Sequence, residues 1–474
     1  MKRILICNRG EIAIRVAKAI RELGHTAVGF WTDNELEPPH LEYCDMWVHL
    51  KGSNNTETYL NMDQILELVK KHKIDAVHPG YGFLSENTIF AQKLEELGVI
   101  FIGPNANAIE KMGDKAISKQ MAKDAGVPVV PGSTGEVESA AEAKIIAKEI
   151  KYPVLLKAVA GGGGKGMRVC VDDAELDKNF DAVRREAQSS FGNPGVLVEK
   201  FILNPHHIEV QIIADKHGNI YHCFERECSI QRRHQKITEE APSPFVGKDE
   251  ALRNSLCETA ILLAKAVDYD SAGTVEFIMG EDKSFYFLEM NTRIQVEHPI
   301  TEEITGVDLV VNMVKAALGE QLDISSQDEI KITGHAIECR ICAEDPVTML
   351  PAPGKIAAFE YTFPQGVRFD HCIYNGFEVK PDFDPMIGKL IVHGFNRDVA
   401  IRKTRNAIKN LHIDGIKTNT QLHEIIIEQE NFVAGTYTTN YIAEVKPQER
   451  VAGLLSDENL YKKAISIELE ALRE

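Results

Sequence analysis

Two adjoining segments concentrate reactive side chains. Arg293-Ile-Gln-Val-Glu-His-Pro299 follows directly on Phe285-Tyr-Phe-Leu-Glu-Met-Asn291, crowding carboxylates, amides and a guanidinium into fifteen residues. In an extended segment alternate side chains share a face, which puts Phe285, Phe287, Glu289 and Asn291 on one side and Tyr286, Leu288 and Met290 on the other. Gly273-Thr-Val-Glu-Phe-Ile-Met279 reads as a partner strand joined through the turn-like Gly280-Glu-Asp-Lys-Ser284. A hairpin centred between Asp282 and Lys283 then sets Glu276 opposite Glu289. Like charges directly across a ladder repel, so the pair requires a proton, a cation or another register. Mg²⁺ (or Mn²⁺) suits it, because such a cation takes hard oxygen ligands, uses few protein carboxylates and completes its shell with water and phosphate oxygens. Glu276, Glu289 and Asn291 are the expected ligands; a solvated hairpin with surface ion pairs is the plainer alternative.

Phosphate chemistry is suggested elsewhere too. Lys157-Ala-Val-Ala-Gly-Gly-Gly-Gly-Lys-Gly166 sets Gly161, Gly162, Gly163, Gly164 and Gly166 around Lys165. Consecutive glycines cost conformational entropy, and a folded chain keeps them where backbone N–H groups approach a ligand, commonly phosphate; a flexible linker is the alternative. No Lys-Ser/Thr pair follows, so this is not a P-loop, and the opening loops lack a G-x-G-x-x-G dinucleotide fingerprint. Lys115 and Lys157 could neutralise phosphates as point charges, while Glu199 and Lys200, at a strand end, could hold an adenine edge. In the dense run Glu225–Lys236, Gln231, His234 and Lys236 sit beside an otherwise apolar strand, which suits a cleft for a small anion and a nucleotide sugar.

The elements that must position these groups are legible as an α/β chain. Ile4–Cys7, a helix over Glu11–Leu23 closed by Gly24, Ala27–Trp31, a helix around Met62–Val69, Ala76–His78 and Val99–Ile102 alternate as βαβ units, implying a parallel sheet with ligands at the carboxyl ends of its strands. Two loops there are rich: Asn8-Arg-Gly-Glu11 and His78-Pro-Gly-Tyr-Gly-Phe-Leu-Ser-Glu-Asn87. A Pro/Gly boundary at Gly126–Gly132 precedes an inserted lobe, and a strand-rich region begins near residue 204. The expected domains are 1–113, 114–203, 204–447 and an acidic helical appendage over 448–474. With 474 residues, 44% hydrophobic and 26% charged, and a net charge of −18, the chain suits a soluble multidomain protein and argues against coating nucleic acid or an anionic membrane. The short apolar start is a strand rather than a signal peptide. Nine scattered cysteines favour a reduced cytoplasmic setting, and Cys339-Arg-Ile-Cys342 lacks the four close ligands of a zinc site.

Asn8-Arg-Gly-Glu-Ile-Ala, His78-Pro-Gly-Tyr-Gly-Phe-Leu-Ser-Glu-Asn, Ser229-Ile-Gln-Arg-Arg-His-Gln-Lys, Glu289-Met-Asn-Thr-Arg-Ile-Gln-Val-Glu-His-Pro and Asp414-Gly-Ile-Lys-Thr-Asn stand as ordered blocks, and over 1–447 the chain resembles the biotin carboxylase family of ATP-grasp enzymes. The resemblance implies a Rossmann-like preATP-grasp domain, a mobile glycine-loop lid and a mixed α+β domain. It implies carboxylation of biotin on a carrier protein with ATP and bicarbonate, through carboxyphosphate. It assigns Lys115, Lys157, the Gly161 to Gly166 loop with Lys165, His207 and Lys236 to nucleotide and phosphate, Glu199, Lys200, Gln231 and His234 to base and ribose, and Glu276 and Glu289 to metal. Lys236, Arg293, Gln295 and Val296 would hold bicarbonate for Glu297 as base, with Tyr81 and Arg340 serving biotin. It also implies a biotin carboxyl carrier protein and carboxyltransferase as partners and a homodimer, because the chain has no Met-Lys-Met attachment tripeptide and stops short of a carboxyltransferase. Acetyl-CoA carboxylase is the expected parent, with a 2-oxo-acid carboxylase as the near alternative and a carboxylate–amine ligase as the alternative of another class. Ala160, Lys165, Cys342 and Pro385 depart from the bacterial acetyl-CoA carboxylase pattern without touching a catalytic role, while Lys18 and Gln365 leave the dimer mode open.

Overall fold

The computed structural model describes residues 1–35, 37–158, 167–191, 194–233 and 235–456. The chain opens with β1 (Arg3–Ile6), α1 (Gly10–Glu22), β2 (Thr26–Thr32), β3 (Met46–Leu50), α2 (Met62–His72), β4 (Ala76–His78), α3 (Thr88–Glu96) and β5 (Ile100–Phe101). These strands form a parallel sheet in the order β3-β2-β1-β4-β5. The order reverses between β1 and β4, and side by side beyond that point lie the two loops singled out by sequence, as expected for a ligand crevice at a topological switch. They are packed together: Asn8 donates to the carbonyls of Pro79 and Tyr81 at 2.8 and 2.7 Å, and Gly80 adopts φ +64°, where a Cβ would meet Asn8 Nδ2 at 2.8 Å. The edge strand β3 and the helix α3 escaped the sequence reading; β3 is a short edge element with exposed Trp47 as its second residue.

After α4 (Ala106–Gly113) and α5 (Lys115–Asp124) comes the lid lobe: α6 (Ala140–Ile150), β6 (Val154–Ala158), β7 (Met167–Cys170), α7 (Asp173–Phe191) and β8 (Val196–Lys200), its strands ordered β7-β6-β8. The lobe owns its core, in which Val154, Leu156, Phe180, Val183, Val196 and Val198 pack together. By contrast, Ala122 of α5 and Val127 pack with Phe277 and Phe287 in the core of the main body, so the helix that opens the expected 114–203 segment is anchored outside the lobe.

The main body is one antiparallel sheet of eight strands. Its strands are β9 (His206–Ala214), β10 (Ile220–Arg232), β11 (Gln235–Ala241), β12 (Ala272–Met279), β13 (Phe285–Asn291), β14 (His335–Cys342), then, past the short β15 (Gly354–Lys355) and β16 (Ala358–Tyr361), β17 (Val367–His371), and, past β18 (Glu378–Val379), β19 (Met386–Gly394), in the order β13-β12-β9-β10-β11-β14-β19-β17. The helix α8 (Glu250–Ala266) buries Leu256, Ala260 and Leu263 against one end, and α11 (Arg397–Lys409) with α12 (Thr420–Glu428) covers the other. Between them, α9 (His298–Thr305) lies on the active face, and α10 (Leu309–Ala317) meets α1 in a core shared with the amino-terminal domain, where Ile12, Val16 and Ile20 join Leu309, Val310 and Met313. No described helix is long and apolar enough to cross a membrane.

Candidate active site

A cleft of about 1870 Å³ separates the lid lobe from the main sheet. Its floor carries a row of acids created by strand register. Glu289 on β13 faces Glu276 on β12, Glu276 faces Glu209 on β9, and Glu209 faces Arg226 on β10. The opposition of Glu276 and Glu289 is the one expected, but it arises differently. Near the turn the pairs are Met279–Phe285, Ile278–Tyr286 and Phe277–Phe287, centred on Asp282, and an irregularity before Glu276–Glu289 shifts the register by one. That bulge at Leu288 breaks the simple alternation at one residue: Phe287, Glu289 and Asn291 line the cleft and Met290 is buried in the core, as alternation requires, but Leu288 lines the cleft as well. A bulge inserts an unpaired residue and re-aims its neighbours.

Lys236, from β11, resolves the repulsion within this row. Its Nζ contacts Glu209, lies 2.9 Å from Glu276 Oε1 and 2.6 Å from Glu297 Oε1. Burial opposes the charge of the ammonium, yet Glu209, Glu276 and Glu297 push its pKa well up. Burial likewise opposes ionisation of Glu276, but Lys236 and His207 hold it below the usual carboxylate range, His207 Nε2 standing 2.9 Å from Glu276 Oε2. Glu289 has neither hydrogen bond nor ion pair of its own among the described residues; burial and Glu276 raise its pKa, opposed by Lys115.

Glu297 is fully buried at the amino end of α9. Its second oxygen accepts from Arg340 Nη2 at 2.9 Å, and Arg340 Nε donates to Glu239 at 2.5 Å. Although burial alone would raise it, Lys236, Arg340 and Arg226 hold the Glu297 carboxyl well below its ordinary pKa. Arg293 braces the other side: Nη1 donates to Gln295 Oε1 and Nη2 to Asn291 Oδ1, each at 3.0 Å, while Nε meets Glu86 at 2.9 Å. The amides of Asn291 and Gln295 both donate to Glu276 Oε1, at 2.9 and 3.1 Å. The carbonyl of Val296 accepts from the buried Lys389 at 2.8 Å. Tyr81 donates its hydroxyl to Glu11 and lines the cleft on the side of the amino-terminal domain.

Lys157 and Glu199 of the lid lobe line the cleft, together with Lys115 of α5 and Gln231 of β10. Glu199 is held by Lys119 Nζ at 2.8 Å and by Lys157 Nζ at 3.7 Å. Lys200 departs from the expected placement: its ammonium donates to the carbonyls of Lys151 and Tyr152 at 2.9 and 3.1 Å and does not line the cleft, because successive side chains on β8 point to opposite faces. Gly161, Gly162, Gly163, Gly164, Lys165, Gly166 and His234 lie outside the described residues.

Sequence reasoning missed Glu209, Arg226, Glu239, Lys389, Glu11 and Lys119. Glu209 carried a signal, being the sole charge in the largely apolar run Ile208-Glu-Val-Gln-Ile-Ile213. Lys389 carried another, as the one charge inside Met386-Ile-Gly-Lys-Leu-Ile-Val392.

Family models match the biotin carboxylase N-terminal domain at residues 1–109, the carbamoyl-phosphate synthase L chain ATP binding domain at 114–325 and the biotin carboxylase C-terminal domain at 338–444. A biotin carboxylase of Pseudomonas aeruginosa is 45% identical over 443 residues, 93% of this chain and 98% of that protein. The mitochondrial propionyl-CoA carboxylase alpha chain of Sus scrofa is 49% identical over 94% of this chain and 61% of its own length. Among solved structures, the bicarbonate-bound biotin carboxylase domain of a thermophilic 2-oxoglutarate carboxylase superposes with a TM-score of 0.90 at 44% identity, covering 94% of this chain and 98% of that one. A Campylobacter jejuni biotin carboxylase in complex with a nucleotide gives 0.84, also at 44% identity, over 94% and 98%. The chain belongs to the biotin carboxylase family, ligases that carboxylate biotin with ATP and bicarbonate.

Proposed function

We propose that the chain is the biotin carboxylase subunit of an acetyl-CoA carboxylase, transferring carboxyl to biotin on a separate carrier protein that then meets a carboxyltransferase. The observation that carries the catalytic part is the convergence of Lys236 and Arg340 on the buried Glu297. Bicarbonate is a poor nucleophile until its hydroxyl loses a proton, and in this reading Glu297 takes it. Clamped between two cations Glu297 is a weak base, so an anion that draws Lys236 and Arg340 to itself would raise its basicity at the moment of need. Arg293, Gln295 and the Val296 backbone would orient that anion. Its attack on the terminal phosphoryl gives carboxyphosphate and ADP, with Lys115, Lys157, His207 and Lys236 absorbing negative charge. Water would hydrolyse carboxyphosphate, so the lid must cover the cleft during this step. Carboxyphosphate splits into CO2 and phosphate; the phosphate takes the ureido proton of biotin, Arg340 stabilises the resulting enolate, Tyr81 flanks the ring, and the ureido nitrogen attacks the CO2 to give carboxybiotin.

The donor set also fits a hard divalent cation, since Glu276 and the unpaired Glu289 present carboxylate oxygens side by side toward the lysine-lined part of the cleft. Glu276, Glu289 and Asn291 would hold Mg²⁺ or Mn²⁺, which neutralises phosphate charge when bound. Glu199 and Gln231 would meet base and ribose. A second reading, the equivalent subunit of a 2-oxo-acid carboxylase, is favoured by the TM-score of 0.90 to the 2-oxoglutarate carboxylase domain. Free biotin is expected to stimulate ATP hydrolysis by the purified chain in Mg²⁺ and bicarbonate, and absence of stimulation under all conditions overturns the proposal. Reconstitution with the biotinyl protein that co-purifies, offering acetyl-CoA or a 2-oxo acid as carboxyl acceptor, decides the parent enzyme.

A further inference from the structure

The wall behind Arg340 contains two acids with conflicting demands. Glu239 on β11 and Glu338 on β14 are directly opposed in the antiparallel ladder and neither is exposed. Glu239 gives one oxygen to Arg340; its other oxygen and both oxygens of Glu338 are buried without a hydrogen-bond partner. Two ionised carboxylates so placed repel in a medium that screens them poorly, and an unpaired buried carboxylate is among the costliest polar groups in a folded protein. The neighbouring cations are committed elsewhere. Lys389 on β19, opposite Arg340, is taken by the Val296 carbonyl at 2.8 Å and by Glu11 of α1 at 3.2 Å. Lys236 of β11 serves Glu209, Glu276 and Glu297, and Arg226 of β10 serves Glu209 at 2.5 Å. Helix α9, which packs over this face, contributes another acid, Glu297, and His298, which burial keeps neutral.

One proton relieves the conflict. We propose that Glu338 is a neutral acid donating to Glu239, and that this proton-sharing carboxyl pair fixes Arg340 in the catalytic wall, making Glu338 a positioning residue that acts through Glu239. The titration behaviour agrees: burial, with Glu239 and Glu297 nearby, outweighs Lys389 and Arg340 and raises Glu338 well above the carboxylate range, and burial outweighs Arg340 and pushes Glu239 up to about 7. With both acids charged, Arg340 would be drawn back onto its own wall and away from a substrate; with the proton in place, one edge stays on Glu239 and the other remains turned to Glu297. The role given to Arg340 rests on the reaction proposed above, whereas the shared proton does not.

Two readouts on the full chain separate these claims. Infrared difference spectroscopy of wild type against Glu338→Gln should show the C=O stretch of a protonated buried carboxyl at neutral pH, absent in the variant. Steady-state kinetics with free biotin from about pH 6 to about pH 9 should show a biotin KM that rises toward alkaline pH in wild type, as the pair gives up its proton, and stays flat in Glu338→Gln. At neutral pH Glu338→Gln, whose amide still donates to Glu239, should stay within about threefold of wild type, while Glu338→Ala raises the biotin KM about tenfold with its biotin-independent ATP hydrolysis preserved. The inference is overturned by absence of the infrared band, by the same alkaline rise in Glu338→Gln, or by a folded Glu338→Ala with wild-type kinetics. If Glu338→Ala does not fold, the band and the Glu338→Gln profile still decide. Lack of biotin stimulation in wild type would refute the reaction, and the band would still report the proton.

Discussion

Replacing Glu297 by Gln removes one charge from between two cations without changing the shape of the side chain. Lys236 Nζ at 2.6 Å and Arg340 Nη2 at 2.9 Å each contribute, at an effective dielectric of about 20, roughly 6 kcal/mol of Coulomb attraction before desolvation is counted. Desolvation cancels most of that, and breaking a buried pair costs a net ~3–5 kcal/mol. Here the lower end applies, because Lys236 keeps Glu209 and Glu276 while Arg340 keeps Glu239. The glutamine NH₂ must also face one of the two cations, a donor meeting a donor. The variant should therefore be less stable by about 3 kcal/mol in denaturant titration yet folded at room temperature. Loss of the base should lower bicarbonate- and biotin-dependent turnover ~10²- to 10⁴-fold. The side-chain hydrogen bonds of Glu297 run to Lys236, Arg340 and Cys228 and not to Lys115, Lys157, Glu199 or Gln231, so nucleotide affinity, measured by calorimetry, should stay within about twofold. Turnover within tenfold of wild type would refute its role as base, and parallel loss of nucleotide binding would mark a purely structural residue. Because Lys236, Arg340 and Arg226 outweigh burial and hold its pKa below the ordinary range, Glu297 is ionised at neutral pH. The kcat/KM profile of wild type should then show no acid limb from this residue above about pH 5.

Three more expectations can be checked directly. Lys236→Met leaves Glu209, Glu276 and Glu297 converging without their shared ammonium; stability should fall by ~3–5 kcal/mol and turnover by at least ~10²-fold, measured by urea unfolding and ATP hydrolysis. Lys119→Met releases Glu199 from a partly exposed ion pair, so the KM for ATP should shift by roughly two- to fivefold while the KM for biotin does not move. The native pKa of Glu338 is raised, so the folded state holds a proton that the unfolded chain loses at acid pH. Stability from this group therefore declines as pH rises above the ordinary carboxylate range, and the melting temperature of Glu338→Gln should gain on wild type between about pH 6 and about pH 9.

Much of this site could be read locally. Glu276 and Glu289 stand opposite one another as the hairpin alone implies, but the bulge at Leu288 shifts the turn centre and breaks the alternation at that one residue, and nothing in Phe287-Leu-Glu-Met290 signals an extra residue. Neighbouring loops of the amino-terminal sheet followed from βαβ order. Glu209, by contrast, joins the row only because β12 pairs with a strand more than sixty residues earlier, and long-range pairing of that kind leaves no local trace. The lysines divide for another reason: Lys115 and Lys157 line the cleft as expected, Lys119 was missed and Lys200 turns away. Lys115, Lys157, Lys119 and Lys200 are equally plausible in sequence, and their roles depend on which face of α5, β6 or β8 the surrounding packing turns to the cleft.

The lid lobe bears on how the cleft can open. Val154, Leu156, Phe180 and Val196 close their own interior, and apart from its two chain connections the lobe's inner edge is tied by single polar links such as Lys119–Glu199. A swing of this lobe about the segments near Val129 and Ile202 would leave that interior packed. The Lys119–Glu199 pair is partly exposed, so what it adds to a closed lobe would fall with added salt, giving substrate entry an ionic-strength dependence that a packed apolar seam would not impose.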